Sequence, residues 1–97
     1  NLTELNLSKN NLKVIKNRTF LGLDNLKKLD LESNLIELIE GGFIGLNNLN
    51  KLNLFNNKIK KIKKRTFYGL DNLKILDLWS NLIESIEEEG FYGLNGL

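Results

Sequence analysis

Between Leu2 and Leu94 the apolar residues fall into one pattern four times over: L-x-x-L-x-L-x-x-N-x-[LI]-x-x-I, a polar stretch, then F-x-G-L. The units begin at Leu2, Leu26, Leu49 and Leu73, at steps of 24, 23 and 24 residues. In the third unit the pattern is carried by Leu49, Leu52, Leu54, Asn57, Ile59, Ile62, Phe67, Gly69 and Leu70. The L-x-L segment alternates with period two, which predicts a short strand with one buried face. The later apolar residues have no helical spacing, so they predict a chain curling back on itself. One such coil cannot offset its own ordering entropy, whereas stacked coils share their apolar faces and join their strands into one parallel sheet.

Two columns follow from the stacking. Asn10, Asn34, Asn57 and Asn81 fall where each strand ends, and a buried amide there can satisfy turn backbone groups in its own and neighbouring coils. Phe20, Phe43, Phe67 and Phe91 form a second column along the outer side. At this periodicity they read as core rather than as a cofactor box. Tyr68 and Tyr92, each following a core Phe, read as half-buried cover with a wet hydroxyl. The organisation predicted is one solenoid segment over 1–97 with repeats 2–25, 26–48, 49–72 and 73–96.

A longer period overlies the short one. Residues 18–40 nearly recur as 65–87, a shift of 47. Repeats one and three are basic in their outgoing loops and repeats two and four acidic, so the columns Lys13–Glu37–Lys60–Glu84 and Lys16–Glu40–Lys63–Glu87 alternate in sign. Taken singly, such pairs are solvated and weak. Taken as a column, they would set register and make the two ends complementary. Neither end carries a cap, so terminal coils would show apolar core and unpaired strand edges to water. That leaves head-to-tail self-association, or a longer array, as an expectation.

The repeat resembles the "typical" class of the leucine-rich repeat family, as found in Toll-like and Slit-like ectodomains, and the resemblance covers essentially the whole chain. It implies an α/β-type repeat solenoid: a right-handed coil with a parallel β-sheet on the concave face and an irregular or short 3-10 convex side. It also implies a non-catalytic module that binds a protein ligand on the concave face, in an extracellular or cell-surface ectodomain. The chain departs from the family in lacking the Cys-rich end caps of extracellular members.

Composition narrows the chemistry. With no Cys and no His there is no thiolate nucleophile, no zinc-thiolate site and no imidazole base. No Gly-rich phosphate loop is present. The expectation is therefore no enzyme, no metal and no cofactor. The net charge of +2 is too small to argue for nucleic acid, so no nucleic-acid partner is expected. No apolar run reaches the ~18 residues of a membrane-spanning helix, so no membrane contact is expected from this segment.

The strand alternation assigns the outward, concave side chains. Between the two strand leucines stand Asn6, Asp30, Asn53 and Asp77; after the second stand Ser8, Glu32, Phe55 and Trp79; flanking them run Glu4, Lys28, Lys51 and Ile75, and Lys9, Ser33, Asn56 and Ser80. Phe55 and Trp79 are neighbours in a column where repeats one and two have Ser and Glu, so the repeat itself does not call for an aromatic there. The candidate partner-binding set is Phe55, Trp79, Asp77, Asn53, Asp30, Glu32, Lys51 and Ile75, because exposed aromatics ringed by polar residues have the composition of binding hot spots. The competing reading is that these rings merely favour strand positions. Asn1, Asn6 and Asn17 head N-x-[ST] sequons, glycan acceptors only in a secretory setting. A structural, self-assembling repeat protein stands as the alternative to the recognition module.

Overall fold

The computed structural model describes residues 2–91, 94 and 96. The four L-x-L segments form strands at β1 (Glu4–Asn6), β3 (Lys28–Asp30), β5 (Lys51–Asn53) and β7 (Ile75–Asp77). They join into one parallel sheet in the order β1-β3-β5-β7. The register is the one the repeat demands: Leu5, Leu29, Leu52 and Leu76 are successive partners, as are Asn6, Asp30, Asn53 and Asp77. Short return strands lie on the far flank: β2 (Val14–Ile15), β4 (Leu38–Ile39), β6 (Lys61–Ile62) and β8 (Ser85–Ile86). The rest of each coil is turn, and no helix occurs among the described residues. The molecule measures 37 × 29 × 21 Å.

The core is complete in the inner repeats and open at the ends, where Leu2, Ile86 and Phe91 (read as core from the repeat) are exposed because no further coil covers them. In the third repeat all seven apolar positions of the pattern are buried: Leu49, Leu52, Leu54, Ile59, Ile62, Phe67 and Leu70. The four Phe rings stack nearly parallel, with centroids 6.2, 6.4 and 5.9 Å apart along the column. That spacing permits the offset contact aromatic rings prefer.

The Asn column behaves as a ladder between coils. The Asn57 amide donates to the carbonyls of Leu54 in its own coil (3.1 Å) and Leu31 in the coil before (3.0 Å). Its oxygen accepts from the Ile36 backbone N–H at 3.1 Å. Asn34 repeats this with Leu31, Leu7 and the Leu12 N–H, and Asn81 with Leu78, Leu54 and the Ile59 N–H. Because the strand stops here, these groups have no sheet partner, and an amide with donors and an acceptor satisfies both sides of the turn. The residue just before each Asn sits in the left-handed region: Lys9, Ser33, Asn56 and Ser80 have φ of 57–58°.

The far flank departs from a uniform stack. β2 pairs with β4 and β6 with β8, but β4 and β6 belong to separate sheets. The two-repeat period thus reappears in the backbone. Within each pair of coils the charged positions are joined at the backbone, Glu37 N–H to the Lys13 carbonyl at 2.9 Å and Glu84 N–H to the Lys60 carbonyl at 2.8 Å. An ion pair joins Lys64 of repeat three to Glu89 of repeat four at 3.4 Å, with both side chains more than half exposed, so it contributes little. Tyr68 is exposed and lies with its ring 5.3 Å from the Arg65 guanidinium carbon. It is less covered than the half-buried position read from its sequence context, and Tyr92 lies outside the described residues.

Candidate functional site

The concave face carries two different surfaces. Over repeats one to three, a depression of about 240 Å³ opens between the outward columns, walled by Glu4, Asn6, Lys28, Asp30, Lys51 and Asn53. Its floor is the strand leucines Leu5 and Leu29. Over repeats three and four the face turns apolar: Trp79 is 77% exposed, Ile75 55% and Phe55 36%. Phe55 and Trp79 are tied at the backbone, where the Asn56 N–H donates to the Trp79 carbonyl at 2.9 Å.

The column between the strand leucines has a role that alternation alone does not reveal. Each of its members accepts a hydrogen bond from the backbone N–H two residues on. Asn6 accepts from Ser8 (2.9 Å), Asp30 from Glu32 (3.0 Å), Asn53 from Phe55 (2.9 Å) and Asp77 from Trp79 (2.9 Å). This is an Asx turn, repeated in every coil. One side-chain oxygen of Asp30, Asn53 and Asp77 is therefore committed to the fold, and Asp30 and Asn53 also line the depression. The same bond pins the backbone of Phe55 and of Trp79, so both aromatics stand on a fixed base. The signal was in the sequence, since all four positions are Asn or Asp, the side chains that close this turn best.

The remaining candidates divide between the two surfaces. Lys51 joins the depression, Ile75 and Trp79 the apolar end, and the Glu32 carboxylate accepts from Asn53 Nδ2 at 3.4 Å across the boundary. Glu4, Asn6 and Lys28 complete the depression and were not among the sequence candidates; their columns were, and repeats one and two needed the same weight as three and four. Lys28 and Lys51 supply two cations, while Glu4, Asp30, Glu32 and Asp77 supply four carboxylates. The face can therefore bind planar apolar groups at one end and mixed hydrogen-bonding, weakly charged groups at the other. Among the described residues no group of His, Cys, Asp and Glu is arranged to hold a metal ion.

A solenoid with a parallel concave sheet, a ladder of Asn and one coil per 23–24 residues defines a class of recognition scaffold. A family model for the leucine rich repeat matches residues 1–59 and again residues 47–97, and the chain belongs to that family. Among solved structures it is similar to one described as "Crystal structure of TLR13-ssRNA13 complex", with a TM-score of 0.94 and 43% sequence identity. The match covers 98% of this chain and 13% of that one, so the chain spans a small part of that receptor's length. No curated protein matches the chain by sequence.

The receptor comparison overturns one expectation, that nucleic acid is excluded as a partner: a closely similar coil belongs to a protein solved with single-stranded RNA. The error lay in using whole-chain net charge as the criterion. Unpaired bases are held largely by stacking on aromatic rings, with only local cations needed for the backbone.

Proposed function

We propose that this chain is a non-catalytic recognition module whose concave sheet takes an unpaired, single-stranded nucleic acid. The observation that carries this reading is Trp79, 77% exposed on a rigid strand position where the repeat does not require an aromatic. A base stacks on its ring, Phe55 offers a second ring one repeat away, and the depression presents Lys28 and Lys51 to phosphate and amide groups to base edges. The likeness to a receptor solved with single-stranded RNA supports the same class of ligand, and the generally non-catalytic character of leucine-rich repeat proteins supports a binding module rather than an enzyme. The matching compartment is the extracellular or endosomal side of a receptor ectodomain.

The face sets four carboxylates against two lysines, so the reading rests on stacking rather than on charge. With Lys28 and Lys51 as the two phosphate contacts, log K falls with log salt at a slope of about −1.4, shallow for a nucleic-acid binder. The test is titration of the chain with a single-stranded RNA oligonucleotide, the same-sequence DNA and an RNA duplex, following Trp79 fluorescence and, for variants, calorimetry. Single strands are expected to quench Trp79, and the duplex not. Trp79→Ala should weaken binding by about 1–3 kcal/mol, the value of one stacked base, and leave the melting temperature unchanged. Equal binding of duplex and single strand would refute base stacking on Trp79, no response to either would remove nucleic acid from the reading, and a large loss of stability would make Trp79 a structural residue.

A further inference from the structure

The column between the strand leucines asks only for an Asx turn, and asparagine closes that turn as well as aspartate does. Asn6 and Asn53 accept the backbone N–H two residues on at 2.9 Å, as Asp30 does at 3.0 Å. The carboxylate of Asp30, in register with an amide on either side, is therefore a feature that the fold does not call for. Asp30 is half-buried in the wall of the depression, where an acceptor is less screened by water than on an open face.

These three side chains differ in what they leave open. The Asn53 amide donates to the Glu32 carboxylate at 3.4 Å, so its donor is engaged. Asn6 accepts from both the N–H and the hydroxyl of Ser8, at 2.9 and 2.7 Å, and its Nδ2 donates to no described residue. Asp30 keeps one oxygen without a hydrogen bond among the described residues, and a spare lone pair on the oxygen that accepts from Glu32. The depression thus presents one free amide donor beside one carboxylate acceptor, on adjacent strands about 5 Å apart. Lys28 and Lys51, on the other wall, hold no ion pair among the described residues and stay available to phosphate.

Of the RNA bases, guanine alone sets two donors side by side, N1–H and the 2-amino group, with an acceptor, O6, next to them. Adenine and cytosine each offer a carboxylate one amino donor with an acceptor beside it. Uracil offers one N–H between two carbonyl oxygens that repel a carboxylate. We propose, resting on the reading of the concave face as a single-strand site, that the depression selects guanine: Asp30 accepts from N1–H and the 2-amino group, and Asn6 Nδ2 donates to O6. Unpaired bases are open to this kind of contact along their Watson–Crick edge. The free amide lies on the repeat-one side and the Asn53 donor is taken, so the base enters with O6 toward repeat one. Trp79 stands two coils further on, about 10 Å along the sheet, so one short strand occupies both places.

The experiment titrates the full chain with an oligouridine carrying one central guanosine, inosine, adenosine or cytidine. Trp79 fluorescence and the Asn6 side-chain amide, seen by NMR, are followed together. Guanine and adenine are both purines and stack alike, so a difference between them reports the base edge. The guanosine strand should bind about tenfold more tightly than the adenosine strand, because one bidentate contact separates them, and should shift the Asn6 amide. Inosine lacks the 2-amino group and should fall between. Asp30→Asn keeps the acceptor of the Asx turn and puts a donor opposite N1–H, so it should erase the preference at an unchanged melting temperature. Equal binding of all the strands, with Trp79 quenched, overturns the guanine assignment and leaves the single-strand reading standing. No binding by any strand removes both. A guanosine preference that persists in folded Asp30→Asn, or guanosine and inosine strands that bind alike, also overturns the assignment; the inosine arm needs no variant and decides it if Asp30→Asn does not fold.

Discussion

Asn57 is the rung of the ladder with the most to lose. Replacing it by alanine removes the acceptor of the buried Ile36 N–H and the donors to the Leu31 and Leu54 carbonyls. The carbonyls are not orphaned, because Asn34 still donates to Leu31 and Asn81 to Leu54. The Ile36 N–H is, in a residue with no exposed surface. An unsatisfied buried donor costs about 1–3 kcal/mol, and two lost hydrogen bonds add about 0.5–1.5 kcal/mol each. Asn57→Ala should therefore destabilise the chain by about 3 kcal/mol. Asn10→Ala removes bonds to Leu7 and Ser8 carbonyls at an exposed position, and water replaces them, so its cost should stay below about 1 kcal/mol. Equilibrium urea unfolding, followed by far-UV circular dichroism and Trp79 fluorescence together, measures both. At a slope of about 1–1.5 kcal/mol/M, the Asn57 variant's midpoint falls by about 2–3 M, or the variant is unfolded without denaturant. If the two variants lie within about 0.5 kcal/mol of each other, the ladder is decoration and the stacking of leucines alone holds the coils.

Two further outcomes test the packing between coils. A Cβ on Gly42 would collide with Ile15 Cγ2 and lie 2.8 Å from the Ile15 carbonyl oxygen, so Gly42→Ala must push repeats one and two apart. It should cost about 2–3 kcal/mol in urea unfolding, whereas Gly22→Ala, with open space around its Cβ and a φ of 91°, should cost only the backbone strain of about 1–2 kcal/mol; the reverse order would refute the close approach. Ser80 holds a φ of 58° on an exposed position, and Asn56 shows that asparagine occupies the same column. Ser80→Asn should raise the melting temperature by about 2–4 °C, as asparagine tolerates the left-handed region better; a fall would mean the serine side chain has a role the geometry does not reveal.

How much of this was legible beforehand differs from residue to residue. Leu52, Leu54, Ile59, Ile62 and Phe67 could be placed in the core from spacing, and Asn57 at the strand end, because a repeating unit must present the same face to each neighbour. Trp79 could be set outside for the same reason: its position alternates away from Leu76 and Leu78. Asp77 counts by alternation as an outward candidate contact beside it, yet one of its oxygens accepts the Trp79 N–H. That bond joins residues two apart and needs a particular turn, which periodicity does not specify. Lys28 and Glu4 became part of the groove only when the strands were laid side by side.

The sequence by itself determined the coil, its period, its core and its ladder, since these depend on what each repeat shares with the next. The tertiary structure decided what the repeats do not share. The missing residue in repeat two is visible in the 23-residue step, but it is a number until the short Glu40-Gly41-Gly42 turn lies against the longer Lys63–Thr66 turn. Only then does the return sheet break and the concave face divide into a polar depression and an aromatic end. Differences between neighbours turn into shape when the neighbours touch, and stacking brings into contact residues that lie about 24 positions apart.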